Sequence, residues 1–106
     1  MTDENWVRVL RCEDLPPGEM LGVEIGDTEV AIYNVGGAYY ATNNICTHGF
    51  ASLSDGYLED DEIECPLHGG RFRVTDGAAV LEPAECPLQT YRVRTNEDNV
   101  EVLLPE

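Results

Sequence analysis

The sequence contains no lysine. Its six basic side chains are all arginine, against 21 acidic ones, so the formal net charge of the 106 residues is -15. A chain with this excess of negative charge is repelled by nucleic-acid phosphates and by anionic membrane surfaces. Nucleic-acid binding is therefore the least expected function, whereas a basic protein partner, or simply a strongly solvated surface, fits the charge.

Long apolar segments are missing as well. No run approaches the roughly 18 apolar residues of a membrane span, and the start of the chain, MTDENWVRVLR, lacks the basic flank and apolar core of a secretory signal. We therefore expect a cytoplasmic protein with no membrane segment. In that reducing compartment the four cysteines are expected to be metal ligands or buried thiols rather than disulfides.

Helical periodicity is also absent, because no window of a dozen residues is free of glycine, proline or β-branched clusters. The dominant period is two, typical of half-buried strands. Gly26-Asp27 and Gly36-Gly37 predict tight hairpin turns. We expect one all-β domain over 1–106, an antiparallel β-sandwich or small barrel, with helix limited to a turn at CEDLPPG. About eight or nine strands are predicted, at WVRVL, EMLGVEI, TEVAIYNV, AYYATN, EIEC, RFRV, AAVL, QTYRVRT and NVEVLL.

Both histidines of the chain stand close to a cysteine. Cys46 and His48 lie in CTHG, Cys65 and His68 lie in CPLHGG, and sixteen residues separate His48 from Cys65. Both motifs fall where the strand pattern stops, so two loops can bring them together at one end of a sheet. Each loop supplies one cysteine and one histidine, which favours two unlike metal positions over the single tetrahedron of a zinc finger. This is the Rieske arrangement of a [2Fe-2S] centre, with two cysteines on one iron and two histidines on the other.

Glycine residues flank the predicted ligands. Gly49, Gly69 and Gly70 allow main-chain amides to approach negatively charged sulfur, and Pro66 and Leu67 can cover the centre from water. Two other interpretations stay open at this point. The four side chains could hold zinc or a single iron, or they could simply fill the fold.

The stretch ATNNICTHGFASLSDGYLEDDEIECPLHGGRF, with EDLPPGEM before it and YRVRTNEDNVEVLL after it, resembles the Rieske-type ferredoxins of multicomponent aromatic-ring-hydroxylating dioxygenases. The likeness is strongest to the naphthalene and biphenyl types and extends over nearly the whole chain. It implies an antiparallel β-sandwich with a small cluster-binding subdomain at about 43–72. It also implies one Rieske-type [2Fe-2S] cluster, with the ligands Cys46, His48, Cys65 and His68.

The resemblance further implies a function and two partners. Such a ferredoxin carries single electrons from a flavin-dependent NAD(P)H reductase to the terminal Rieske non-haem iron oxygenase in aromatic-ring dihydroxylation. We do not expect an enzyme, because an oxygenase needs a further iron held by two histidines and a carboxylate, and both histidines are already used. The alternatives are a small Rieske-like subunit of a nitrite reductase and a non-redox zinc-binding interaction module.

The sequence departs from the respiratory Rieske proteins at four positions. Ala51 and Leu67 occupy the places of the two cysteines that brace the respiratory loops with a disulfide, so that disulfide cannot form. Gly70 and Phe72 stand where serine and tyrosine hydroxyls donate to the cluster. Fewer donors stabilise the reduced state less, so we expect a potential toward the low end of about -150 to +300 mV.

Several side chains near the ligand loops have two possible roles. We expect the rims of His48 and His68, with Leu67, to form the docking patch. Phe50 either joins that patch or packs over the cluster. The acidic run EDDEIE, residues 59–64, is either a solvated turn or a steering surface for a basic partner.

The remaining expectations concern isolated side chains. Arg71 and Arg73 are expected to pair with the acidic run, at little gain in stability. Trp6 is expected to pack in the core or against the subdomain. We interpret Cys12 and Cys86 as ordinary thiols, and Pro83 as part of a loop that shields the cluster.

Overall fold

A computed structural model describes residues 6–45, 51–67, 69–82 and 86–104 of the chain. The described residues form ten strands and two short 3₁₀ turns, at Cys12–Asp14 and Leu53–Asp55. The strands are β1 (Trp6–Arg11), β2 (Met20–Ile25), β3 (Thr28–Val35), β4 (Ala38–Asn43), β5 (Tyr57–Glu59), β6 (Glu62–Glu64), β7 (Arg71–Arg73), β8 (Ala79–Leu81), β9 (Thr90–Asn96) and β10 (Asn99–Leu103). Within the described residues, no helix is long and apolar enough to cross a membrane.

Six strands form one antiparallel sheet in the order β1-β10-β9-β4-β3-β2. The predicted hairpins are present: Gly26 has φ +62°, and Gly36 and Gly37 have φ +61° and +98°, values that favour glycine. Residues from β1 and β3 share one core although three strands separate them in the sheet. The sheet therefore curls over its own inner face, which gives the two layers of the predicted sandwich.

The other four strands form a smaller antiparallel sheet in the order β5-β6-β7-β8. It packs on the large sheet through β3, whose side chains are buried on both faces. Val30 and Ile32 lie in the core of the large sheet, whereas Ala31 and Tyr33 lie in a second core with residues of the small sheet and of the segments that flank its strands. These second-core residues are Leu53, Ile63, Cys65, Phe72, Val74 and Leu88. Strand β3 is therefore the platform on which the small sheet is mounted.

The strand pattern predicted most of this architecture, with two departures. Strand β5 and the 3₁₀ turn at Leu53–Asp55 were not expected. The expectation for Trp6 was wrong: its ring lies outside both core clusters and faces Arg94, whose Cζ is 4.2 Å from the ring centroid. The arginine side chain covers the ring where core packing was expected.

Tyr33 links β3 to the neighbouring strand β4 by a buried side-chain hydrogen bond. Its hydroxyl lies 2.9 Å from the hydroxyl of Thr42 on β4, and burial raises the pKa of Tyr33 well above its ordinary value, which keeps the phenol neutral.

Replacing Tyr33→Phe should lower the stability of the protein. The variant loses a buried hydrogen bond, at a cost of about 0.5–1.5 kcal/mol, and each kcal/mol lowers the unfolding midpoint of a domain this small by about 4–8 °C. Thermal unfolding followed by far-ultraviolet circular dichroism at one scan rate measures the shift. Tyr57→Phe is the control, since the Tyr57 side chain is exposed; equal midpoints for the two variants would contradict the role of the Tyr33 bond.

Candidate metal centre

One of the four predicted ligands lies within the described residues. Cys65 follows β6 directly and is only 2% exposed. Cys46, His48 and His68 lie outside the described residues, as do Gly49, Phe50 and Pro83. What the structure defines is therefore the base of each predicted ligand loop, and within the described ranges no three His, Cys, Asp or Glu side chains form a metal-binding group.

The second ligand loop closes tightly between β6 and β7. The backbone N–H of Cys65 donates to the carbonyl of Gly70 at 2.8 Å, and the N–H of Gly69 donates back to the carbonyl of Cys65 at 3.1 Å. Gly69 has φ +75°, a left-handed conformation that favours glycine. The glycines of the CPLHGG motif thus serve first to close the loop on itself.

The first ligand loop is closed at its base by Asn44. The Asn44 carbonyl accepts from the N–H of Leu53 at 2.7 Å, and its side chain forms two bonds with Ser54: Oδ1 accepts from the Ser54 N–H at 2.9 Å and Nδ2 donates to Oγ at 3.1 Å. A bridge between Ile45 and Ser52 continues the closure toward the loop. A Cβ at Gly22 would lie 2.7 Å from Ser54 Oγ and 2.9 Å from Asn44 Nδ2, so a larger residue on β2 would have to displace these hydrogen-bonded side chains.

The two loop bases touch each other at Gly56. A Cβ atom on Gly56 would overlap the carbonyl oxygen of Glu64 and lie 3.1 Å from Cδ of Pro66. Ala51 and Leu53, from the first loop base, pack in the same core as Cys65. The prediction that two loops meet at one end of a sheet is confirmed for their bases.

The environment of Cys65 fits a thiolate ligand of an iron–sulfur cluster. The residue is buried beside apolar side chains and is followed by a glycine-containing loop whose backbone can approach sulfur. Among the described cysteines, Cys12, Cys65 and Cys86, none forms a disulfide. Phe72 is fully buried in the second core, so its ring packs the small sheet together.

One arginine organises the acidic run. The Arg71 guanidinium donates to Glu59, Glu62 and Glu64 at 3.0, 3.3 and 3.2 Å, and its bonds to Glu59 and Glu64, then Glu62, raise its pKa above the ordinary value. Arg73 instead donates to Asp76 at 2.9 Å. The expected pairing with the acidic run is thus confirmed for Arg71. It was wrong for Arg73, whose partner Asp76 lies outside the run.

Exposed apolar side chains lie on the small sheet and its loop. Leu67, in the second ligand loop, is 57% exposed, as a docking role requires, and Tyr57 and Leu81 are also exposed. The other members of the predicted docking patch lie outside the described residues. Neither the hydrogen bonds between Asn44 and Ser54 nor the Gly56 contact was predicted, since both join segments that no periodicity links.

Comparison with known proteins adds to this geometry. Residues 5–92 match the Rieske [2Fe-2S] domain family. The chain is 46% identical over 101 residues to the ferredoxin component of the naphthalene 1,2-dioxygenase/salicylate 5-hydroxylase systems of a Ralstonia species, with 95% of each chain covered.

Two solved structures share the fold. A chain in a complex of reduced oxygenase and oxidized ferredoxin in carbazole 1,9a-dioxygenase superposes with a TM-score of 0.90 at 41% identity, covering 95% of this chain and 94% of that one. A putative NADH-dependent nitrite reductase small subunit from Mycobacterium tuberculosis superposes with a TM-score of 0.85 over 99% of both chains. Its 22% identity shows a common fold alone.

Replacing Gly56→Ala should loosen the contact between the loop bases. The added methyl group collides with the backbone at Glu64, which cannot rotate away as a side chain could. We expect purified protein with less iron and acid-labile sulfide per chain than the wild type. Gly26→Asn is the control, because that site has open space and asparagine tolerates its positive φ. Full iron and sulfide content in Gly56→Ala would show that the contact does not matter for the centre.

Proposed function

The chain belongs to the Rieske [2Fe-2S] domain family, and we propose that it is the electron-transfer ferredoxin of a multicomponent aromatic-ring-hydroxylating dioxygenase. The observation that carries this proposal is the 46% identity to a dioxygenase ferredoxin component over 95% of both chains. The match covers 95% of that relative's length, and the relative is a ferredoxin component, which supports a carrier without an active site of its own.

The proposed ligands are Cys46 and Cys65 for one iron, and His48 and His68 for the other. When bound, the cluster supplies a one-electron couple between a diferric and a mixed-valence state. The part of this chain is to hold and cover the centre: Cys65 would offer a buried sulfur, and the hydrogen bond from the Gly69 N–H to the Cys65 carbonyl closes the loop beside it. The two loop bases, joined at Gly56, support a cluster-binding subdomain at about 43–72.

We further propose two protein partners and a location. A flavin-dependent NAD(P)H reductase would give the electron, and a terminal Rieske oxygenase would accept it, in the cytoplasm. The structural relative that occurs with an oxygenase supports the second partner. The exposed Leu67, beside the proposed ligand His68, supports transfer through the tip of the second loop.

A direct test begins with the purified protein under anaerobic conditions. Iron and acid-labile sulfide in a 1:1 ratio, and the EPR spectrum of a histidine-ligated [2Fe-2S] centre after reduction with dithionite, are expected. Zinc without sulfide would instead support an interaction module. An all-thiolate spectrum would overturn the ligand assignment.

A second experiment separates a mobile carrier from a fixed subunit. Stopped-flow absorbance should show reduction by a dioxygenase-type flavin reductase with NADH, followed by reoxidation on mixing with its terminal oxygenase. The nitrite reductase alternative predicts neither exchange; it predicts tight association with a larger nitrite reductase subunit, which size-exclusion chromatography detects.

Replacing His68→Cys should lower the reduction potential sharply if a cluster still assembles. A thiolate adds negative charge to the outer iron, and plant-type centres with four cysteines lie at about -400 mV, below the Rieske range. Redox titration monitored by EPR measures the change. Cys86→Ser is the control, since Cys86 is exposed; a His68→Cys variant with the wild-type potential would remove His68 from the ligand set.

A further inference from the structure

The outer face of the small sheet carries a row of paired side chains beside the second ligand loop. Tyr57, Glu64, Arg71 and Leu81 are successive partners across β5, β6, β7 and β8. The inner-face neighbours Ile63 and Phe72 are fully buried. Arg71 is thus central in a row that crosses the whole sheet.

Arg71 is the residue that ties three carboxylates together there. Its Nη1 contacts Glu59 and Glu62, and its Nε contacts Glu64, all at 3.0–3.3 Å. The Arg71 side chain is 24% exposed, less than any of those three glutamates. A guanidinium in this position links β7 to the adjacent β6 and, beyond it, to β5, because its planar fork reaches carboxylates on both strands at once.

The Arg71 network lies at the base of the second ligand loop, next to the proposed ligand Cys65. Cys65 and Gly70 form the closing hydrogen bond of the second loop, and Glu64 and Arg71 are the next residues outward on each side. The ion pair at 3.2 Å between Glu64 and Arg71 is therefore the last cross-strand contact before the loop begins. Arg73 faces the same way two residues farther from the loop and pairs with Asp76 instead.

We propose that Arg71 is a positioning residue for the iron–sulfur centre, one that locks the base of the second ligand loop and offsets the charge of the three glutamates behind it. The proposal rests on the ligand assignment given under the proposed function. It makes two separable claims, one about the rigidity of the loop and one about the charge that the centre experiences.

The sign of the electrostatic claim follows from the charges. Three carboxylates and one guanidinium leave a formal charge of -2 in the network, and loss of Arg71 would leave -3. Reduction adds one negative charge to the centre, so an uncompensated carboxylate cluster disfavours the reduced state. Removal of Arg71 should therefore lower the reduction potential.

The test compares Arg71→Gln with Arg73→Gln in the cluster-containing protein. Both variants change the net charge equally and both sit on β7, so general charge effects cancel. At a fixed solution potential, Arg71→Gln should decrease the ratio of reduced to oxidised protein about threefold to tenfold, tenfold being 59 mV for a one-electron couple. Arg73→Gln should change that ratio much less. Spectroelectrochemical titration gives both values.

Arg71→Lys separates charge from geometry. Lysine keeps the positive charge but lacks the planar fork, so we expect a potential close to that of the wild type together with faster extraction of iron by a ferrous chelator. A potential as low as that of Arg71→Gln would overturn the electrostatic claim, and an unchanged extraction rate would overturn the locking claim.

Glu62→Gln tests the charge claim independently, should Arg71→Gln fail to assemble the cluster. Glu62 lies three residues before Cys65, outside the loop, and its loss removes one negative charge from the network. The potential should rise, and no rise would count against the charge role. Equal potentials for Arg71→Gln and Arg73→Gln overturn the electrostatic claim and leave the ligand assignment untouched, whereas a wild-type protein without the histidine-ligated EPR spectrum overturns the ligand assignment and the whole Arg71 proposal with it.

Discussion

The bases of the two ligand loops are held together by main-chain contact, and the rest of the centre depends on that contact. Gly56 lets the first base lie against the carbonyl of Glu64 and the ring of Pro66. Ala51 and Leu67 exclude the disulfide that braces the loops of respiratory Rieske proteins. Hydrogen bonds within each loop base, and a shared apolar core, take over that bracing here. Main-chain contacts of this kind tolerate little displacement, because backbone atoms cannot rotate away as side chains can.

Strand β3 transmits this arrangement to the rest of the fold. Its alternate residues serve two cores: Val30 and Ile32 fill the large sheet, while Ala31 and Tyr33 support the small one. A strand buried on both faces cannot shift by one residue without exchanging the two sets of side chains. The register of β3 therefore fixes the position of the small sheet, and with it the direction in which the ligand loops leave the sandwich.

The sequence predicted the parts of the structure that repeat and missed those that do not. Alternation identified the long strands correctly, as in β10, where Val100 and Val102 are fully buried. Strand β5 was missed because its last residue, Glu59, begins an acidic run that favours a solvated turn. Trp6 was misassigned because a large aromatic ring suggests a core, whereas arginine covers it. Cys65 was predicted as a ligand from its motif. The hydrogen bonds between the Asn44 side chain and Ser54, ten residues away, could not be predicted, because spacing does not reveal them.

The chain has no lysine, and its arginines make contacts that lysine could not make. Arg71 contacts three carboxylates on two strands, and Arg94 contacts Glu101 at 2.6 Å while its guanidinium lies over the ring of Trp6. Both arrangements need a flat cation with several donors in fixed directions, and an ammonium group provides only a point charge. The chain has six arginines and 21 acidic residues. An arginine that contacts several carboxylates at once therefore neutralises more of the negative charge locally than one that contacts a single carboxylate. The formal net charge of the chain nevertheless remains -15, so we expect a negative field around the proposed centre, and the expected low reduction potential follows from the same imbalance.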